Sequence, residues 1–192
     1  MVNRMAVPSA ALLDALSKAF SYPMDGMETT TPALEILEPE QCGSFYEDVK
    51  KVLAASRTFE TRTDEQLAYT RLFIGSFKMY APPYASYYLS GVGQIGGATT
   101  SEVRDIFCQF GIKLGDEENA PADHLRYLLA FLALMARRYE ETGDEAFAEA
   151  YADFRDEYIL SWIHQCQTLV EKYAEHDYYK LLVALIVSVM EA

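Results

Sequence analysis

One spacing governs this chain: apolar residues recur every three or four positions over most of its length, and nowhere do they alternate with period two for long. Pro8 and Ser9 open a segment in which Leu12, Leu16, Ala19 and Phe20 share a helical face, until Tyr22-Pro23 stops it. A second helix carries Phe45, Val49, Val52 and Leu53. Thr63 with Gln66 reads as a capping box for a third, whose Leu67, Tyr69, Leu72, Phe73 and Phe77 form a wide apolar face ending before Pro82-Pro83. Thr99 with Glu102 is a second box, opening a helix through Val103, Ile106, Phe107 and Phe110 that Gly111 can terminate. Pro121 suits the first turn of a long helix carrying Leu125, Leu128, Leu129, Leu132 and Met135 and ending near Gly143. Three more follow: one with Phe147, Tyr151 and Phe154, one with Trp162, Ile163, Cys166, Leu169 and Tyr173, and a closing one from about Asp177 to Met190. The expectation is an all-α bundle of about eight helices in a single domain spanning residues 1–192. SYYLS, residues 86–90, is the only strand candidate, and a lone strand has no ladder partner. Residues 78–98 form a long central connection, and a hinge is expected near this stretch or near 115–123. Connections of such length in compact domains tend to be functional.

Composition fixes the environment. The 192 residues include 29 acidic against 16 basic side chains, a net charge of −13, which argues against nucleic acid and against anionic membrane surfaces. With 51% apolar residues, 14 Tyr and 10 Phe, the chain has ample surface to bury. The N-terminus has no continuous apolar run of the kind that precedes a leader cleavage site, and the apolar run LLVALIVSVM is too short to span a bilayer. Cys42, Cys108 and Cys166 are odd in number, far apart and set in apolar segments, which fits a reducing compartment. The chain therefore reads as cytoplasmic.

Patterns that carry chemistry are few. GVGQIG, Gly91 to Gly96, matches the dinucleotide fingerprint, but that motif works only after a strand of a parallel sheet. It reads better as a loop before the Thr99 helix, with weak phosphate binding at that helix end as the alternative. His124, His164 and His176 lack metal-ligand spacing, and no nucleophile elbow or P-loop is present, so neither an enzyme nor a cofactor is expected. Eight carboxylates against Arg155 alone crowd residues 140–157, which reads as a solvated face that attracts a cationic partner. Two segments stand apart. In AYTRLFIGSFKMYAPPYASYYLSG, Pro82 and Pro83 fix the backbone and remove two N–H donors, presenting the tyrosines that follow. In APADHLRYLLAFLALM, Asp123 and His124 sit in the expected first turn, where the helix dipole favours a carboxylate.

These segments, in this order, resemble the TorD/DmsD family of cytoplasmic chaperones for molybdenum-containing reductases. The likeness extends to LFIGSF, to Thr99, Glu102, Val103 and Arg104, and to the closing FRDEYILSWIHQC and DYYKLLVALI. Tyr stands at 69 and 84 where some members carry Trp, and Tyr158 where His is frequent. The resemblance implies an all-α fold, a monomer or homodimer, and binding of the twin-arginine signal peptide of a molybdoenzyme precursor, holding back export until folding and cofactor insertion are complete. It places peptide recognition on Tyr69, Leu72, Phe73, Pro83, Tyr84, Asp123 and His124, with Ser86 nearby, and it implies as the alternative a nucleotide-binding regulatory protein that takes GTP or a molybdopterin nucleotide weakly at the Gly91–Gly97 loop. A twin-arginine leader is two guanidinium groups followed by an apolar run, so its receptor should offer a carboxylate and an apolar groove. On that reading Asp123 takes an arginine, His124 orients the site, and Leu72, Phe73, Pro83 and Tyr84 line the groove.

Overall fold

The computed structural model describes residues 7–23, 32–75, 78–114 and 121–192. Among these the chain is all-α, with eight helices of eight residues or more and three shorter ones. The longer ones are α1 (Ala10–Ala19), α4 (Tyr46–Ser56), α5 (Arg62–Tyr69), α7 (Ala98–Gln109), α8 (Leu125–Thr142), α9 (Glu145–Arg155), α10 (Ile163–Tyr173) and α11 (Asp177–Glu191), and the short ones are α2 (Pro32–Glu35), α3 (Pro39–Cys42) and α6 (Ala85–Leu89).

The centre is the pairing of α1 with α8. Leu12, Leu13 and Leu16 of α1 and Leu125, Leu128, Leu129 and Leu132 of α8 are wholly buried, as their spacing requires. At about 1.5–3 kcal/mol for each fully buried Leu, this seam is a large share of the stability. Polar ends are tied as carefully. Ser9 caps α1 by accepting the Leu12 N–H, and Glu140, from the acidic block, accepts the Ala10 N–H across the seam. Helix α11 closes the other side against α4 and α10, with the Tyr178 hydroxyl donating to the Ala19 carbonyl. Trp162 is buried between α9 and α10, its Nε1–H donating to the Tyr158 carbonyl and its ring stacked on Tyr88. Gly143 ends α8 in the left-handed conformation and Gly111 follows α7 at φ 75°, as the sequence indicates.

Several expectations are corrected. The capping box of α5 is Thr61 with Asp64, not Thr63 with Gln66: the Thr61 hydroxyl accepts the Asp64 N–H and the Asp64 carboxylate accepts the Thr61 N–H. Helix α7 has Gly97 at its N-cap, and Thr99 does not cap it. Helix α8 begins at Leu125, so Pro121 and Asp123 precede it, because His124 is its N-cap. SYYLS is no strand: Ala85–Leu89 is α6, so the 78–98 connection is not irregular throughout. Gly91–Gly96 follows that helix, and no strand exists among the described residues to support a dinucleotide fold. Cys108 is exposed, whereas Cys42 and Cys166 are buried. Leu67 lies outside the apolar face of α5, at 62% exposure. Phe77 and residues 115–120 of the second hinge lie outside the described residues.

Helix α5 does not stop at Tyr69. It widens into a π-helical turn over Thr70–Ile74, closed by the Gly75 N–H on the Thr70 carbonyl at 2.6 Å. The freed Leu72 carbonyl then accepts the Ala81 N–H at 2.8 Å, which sets the path into Pro82-Pro83. Gly75 makes this reversal: its φ is +65°, and a Cβ there would lie 2.3 Å from the Lys78 carbonyl oxygen. Replacing Gly75 by Ala should lower stability by roughly 2 kcal/mol or more, combining strain with the clash. Gly111→Ala, with φ +75° and open space, should lose only the conformational term. Thermal melts of the two variants check this, and equal losses would contradict it.

Candidate functional site

The segment after Pro82-Pro83 and the segment before α8 run antiparallel. The Leu125 N–H donates to the Pro83 carbonyl at 2.8 Å and the Ala85 N–H to the Asp123 carbonyl at 3.1 Å, so Tyr84 and His124 face each other in an isolated β-bridge. Proline suits this place because its carbonyl is used and its missing N–H is not needed.

Asp123 locks the junction. Its carboxylate is 0% exposed, with Oδ2 accepting the Ser86 N–H at 2.8 Å and Oδ1 the Thr100 hydroxyl at 2.6 Å. It therefore stabilises the start of α6, not of α8 as its sequence position indicates, and it ties in α7. Ser86 carries the network outward, its hydroxyl accepting the Gly96 N–H at 2.9 Å. The glycine loop is thus anchored to the same centre. An Asp123 so enclosed has no oxygen turned to the surface, and the expected direct pairing with an arginine is unavailable in this conformation.

His124 is built into the wall. Its Nδ1 accepts the Arg126 N–H at 3.1 Å, capping α8. Its ring lies edge-on to Tyr84, with centroids 5.0 Å apart, and meets Phe20 and Tyr127 at about 6 Å. Burial above all, and the Arg126 guanidinium, pull its pKa down to about 3 against the opposing pull of Asp123. The imidazole is neutral at physiological pH, with Nε2 left to carry its proton. Burial, and then the Asp123 charge, push the Tyr84 phenol up, and burial does the same to Tyr69. His124, Tyr84 and Tyr69 are therefore uncharged near pH 7.

Together these rings line a cavity of about 180 Å³. Tyr69, Phe73, Tyr84 and His124, named from the sequence, meet in it, along with Tyr22, Ile74, Arg126 and Tyr127, which were not. Tyr69 and Phe73 stack edge-on at 5.0 Å, both against Phe20. Leu72 and Pro83 are buried behind this lining, and Asp123 and Ser86 form its support. The sequence did carry signals for two of the missed residues: Tyr127 is one turn beyond His124, and Tyr22 stands where Pro23 ends α1. The Arg126 guanidinium lies 5.2 Å from the Tyr127 ring centre at the rim. The lining suits an apolar or aromatic side chain and has no carboxylate. Among the described residues no cluster of His, Cys, Asp and Glu could hold a metal ion, and no helix is long and apolar enough to cross a membrane.

The depressed pKa of His124 has a signed consequence. Between about 3 and the ordinary 6.5 the folded state binds fewer protons than the unfolded chain, so stability falls as pH drops through that window. From pH 7 to pH 5 the loss should be about 2 kcal/mol, or roughly 4–8 °C in Tm. His124→Asn keeps an acceptor for the Arg126 N–H and removes the titration, so its melting temperature should change much less over the same range. Parallel slopes for the two proteins would contradict this assignment.

Residues 38–168, more than half of the chain, match the family described as nitrate reductase delta subunit. The chaperone protein TorD of Vibrio vulnificus (strain YJ016) is 31% identical over 135 residues, covering 66% of this chain and 63% of that protein. The chaperone protein TorD of Aliivibrio salmonicida (strain LFI1238) is 28% identical over 153 residues, covering 76% and 71%. The chain thus spans less than two thirds of the length of the first of these relatives. In fold it is similar to a crystal structure described as that of a candidate redox enzyme maturation protein from Archaeoglobus fulgidus, with a TM-score of 0.63, 21% identity, and 95% of this chain and 94% of that one covered. This chain belongs to the nitrate reductase delta subunit family, the group that its TorD relatives place with the TorD/DmsD-type chaperones.

Proposed function

We propose that this protein is a cytoplasmic maturation chaperone, without catalytic activity, that binds the twin-arginine signal peptide of a molybdenum-containing oxidoreductase precursor and delays its export until folding and cofactor insertion are complete. The observation that carries the reading is the convergence of Tyr69, Phe73, Tyr84 and His124, from separate segments, on one aromatic cavity. Relatives named TorD chaperones support the general role.

Energetics assign the work. A micromolar complex needs about 8 kcal/mol, and an exposed ion pair supplies only about 0–1. Apolar burial of the leader in the aromatic groove must supply most of the rest. Neutral His124 favours this, because a charged imidazole would carry its hydration into the groove. Asp123 acts by holding the wall, and the acidic surface raises the encounter rate with a basic leader.

A second reading rests on the glycine loop. Gly91, Gly93, Gly96 and Gly97 all have positive φ, and Gly97 caps α7 without a side-chain bond, so the loop leads into a helix start with open N–H groups. Submicromolar affinity for GTP or a molybdopterin nucleotide by calorimetry, without any leader binding, would favour a nucleotide-responsive regulator instead.

Titration of a synthetic twin-arginine leader decides the first reading. Tyr84→Ala, at a half-buried position, should weaken binding at least tenfold while the melting temperature changes little. Phe73→Ala should weaken it as much or more, with a loss of stability that the melt reports separately. Unchanged affinity in both variants would remove the groove as the binding site.

A further inference from the structure

A second cleft, of about 440 Å³, shares α5 and its π turn with the aromatic cavity. Phe59, Asp64, Arg71, Glu175 and His176 line it, with Leu67 at its edge. Phe59 stacks on His176 with ring centroids 3.7 Å apart and planes 13° from parallel. The imidazole is held in turn, its Nδ1 accepting the Tyr178 N–H and its Nε2 2.9 Å from the Thr58 hydroxyl. Asp64 is held by Thr61, whose N–H and hydroxyl both donate to Oδ2. Glu175, by contrast, is 71% exposed and pairs with the exposed Arg71. The cleft combines a fixed aromatic stack with two carboxylates against one guanidinium.

Two exposed apolar side chains join this cleft to the aromatic cavity. Leu67 (62% exposed) and Ile74 (47% exposed) flank Arg71 on one face of α5 and its π turn. Leu67 borders the acidic cleft and Ile74 borders the cavity. Seven residues of helix span roughly 10 Å. About three residues of extended peptide cover the same distance. The charges at the two ends differ: Asp64 and Glu175 stand at one, and Arg126 at the other with no carboxylate in the lining.

We propose that the Phe59/Asp64/Glu175 cleft takes the arginine pair of the twin-arginine leader, and that the leader's apolar run crosses Leu67 and Ile74 into the aromatic cavity. This rests on the function proposed above and assigns the polarity of its ligand. A peptide cationic at its start and apolar after it matches the two ends in one direction only. The incoming guanidinium replaces Arg71 on Glu175. Because that pair is exposed and contributes little, the exchange opposes binding weakly. Carboxylates that accept two parallel N–H bonds, beside an aromatic face, suit a guanidinium better than an ammonium.

Fluorescence anisotropy of the full chain with a labelled synthetic leader tests this. Glu175→Arg should weaken the native leader at least tenfold, and Glu175→Gln less in the same direction. Against a leader whose arginine pair is replaced by glutamine, Glu175→Arg should change affinity less than twofold. Tyr84→Ala should weaken both leaders alike. Undiminished binding of the native leader by Glu175→Arg, with Tyr84→Ala still damaging, would overturn the cleft assignment and leave the proposed function standing. Failure of the unaltered protein to bind any leader would overturn both. A scrambled peptide of equal charge that binds as well, and responds equally to Glu175→Arg, would show a general cation site and overturn the assignment to a leader. Melting curves of the Glu175 variants should match the parent, as befits so exposed a position.

Discussion

The site depends on one buried carboxylate. Asp123 accepts one hydrogen bond from the start of α6 and another from Thr100 of α7, while its own main chain leads into the cap of α8. Hydrogen bonds to a charged group contribute about 1.5–3 kcal/mol each, and a buried charge stripped of them is strongly destabilising. The arrangement favours a carboxylate in kind as well as size. Two donors converge on this point and an aspartate accepts from both, whereas an amide in its place keeps one acceptor for the Ser86 N–H and turns its NH₂ toward Thr100, whose hydroxyl must reverse its role to accept. From this centre the Ser86 hydroxyl fixes the glycine loop, and the Tyr84–His124 bridge gives the groove its wall.

The groove is an aromatic surface set between two rigid elements. Helix α8 is anchored along its length by α1, so His124, Arg126 and Tyr127 stand on a firm base. The opposite side comes from α5, whose π turn displaces the helical register and directs Phe73 and Ile74 into the cavity. Gly75 then returns the chain under Leu72 into the proline pair. Tyr69, Tyr84 and His124 stay neutral here, and no carboxylate of the acidic surface lines the cavity. Long-range attraction and local fit therefore belong to different parts of the surface. On the proposed function, one would guide a basic leader in and the other would hold its apolar side chains.

The sequence shows the helices clearly because their period is set by burial on one face. The eight longer helices, the Ser9 cap, the Gly111 and Gly143 ends and the buried leucines of α1 and α8 are all legible from spacing. What was not legible depends on partners distant in the chain. Residues 86–90 resemble a strand by composition, yet Asp123, 37 residues away, accepts the Ser86 N–H and stabilises a helix start. By sequence Asp123 and His124 fall in the first turn of α8, but His124 caps that helix through its own imidazole and leaves Asp123 outside. Local frame misled at Thr63, because Thr61 and Asp64 satisfy each other first. Glu140 looked like part of a solvated acidic block and instead caps α1. Of the site, Tyr69, Phe73, Tyr84 and His124 were identified by family likeness, while Ile74 and Arg126 join them only through packing.

The central claim is that Asp123 shapes the groove and does not touch the peptide. Titrating the parent protein and Asp123→Asn with two leaders, one with the arginine pair and one with glutamines in its place, measures this directly as a coupling between residue and ligand. The account predicts the same fold-loss from Asp123→Asn with both leaders, because the damage is to the wall that each must use. A loss confined to the arginine leader, with the glutamine leader bound equally by both proteins, would contradict it and restore Asp123 as a direct partner of the cation.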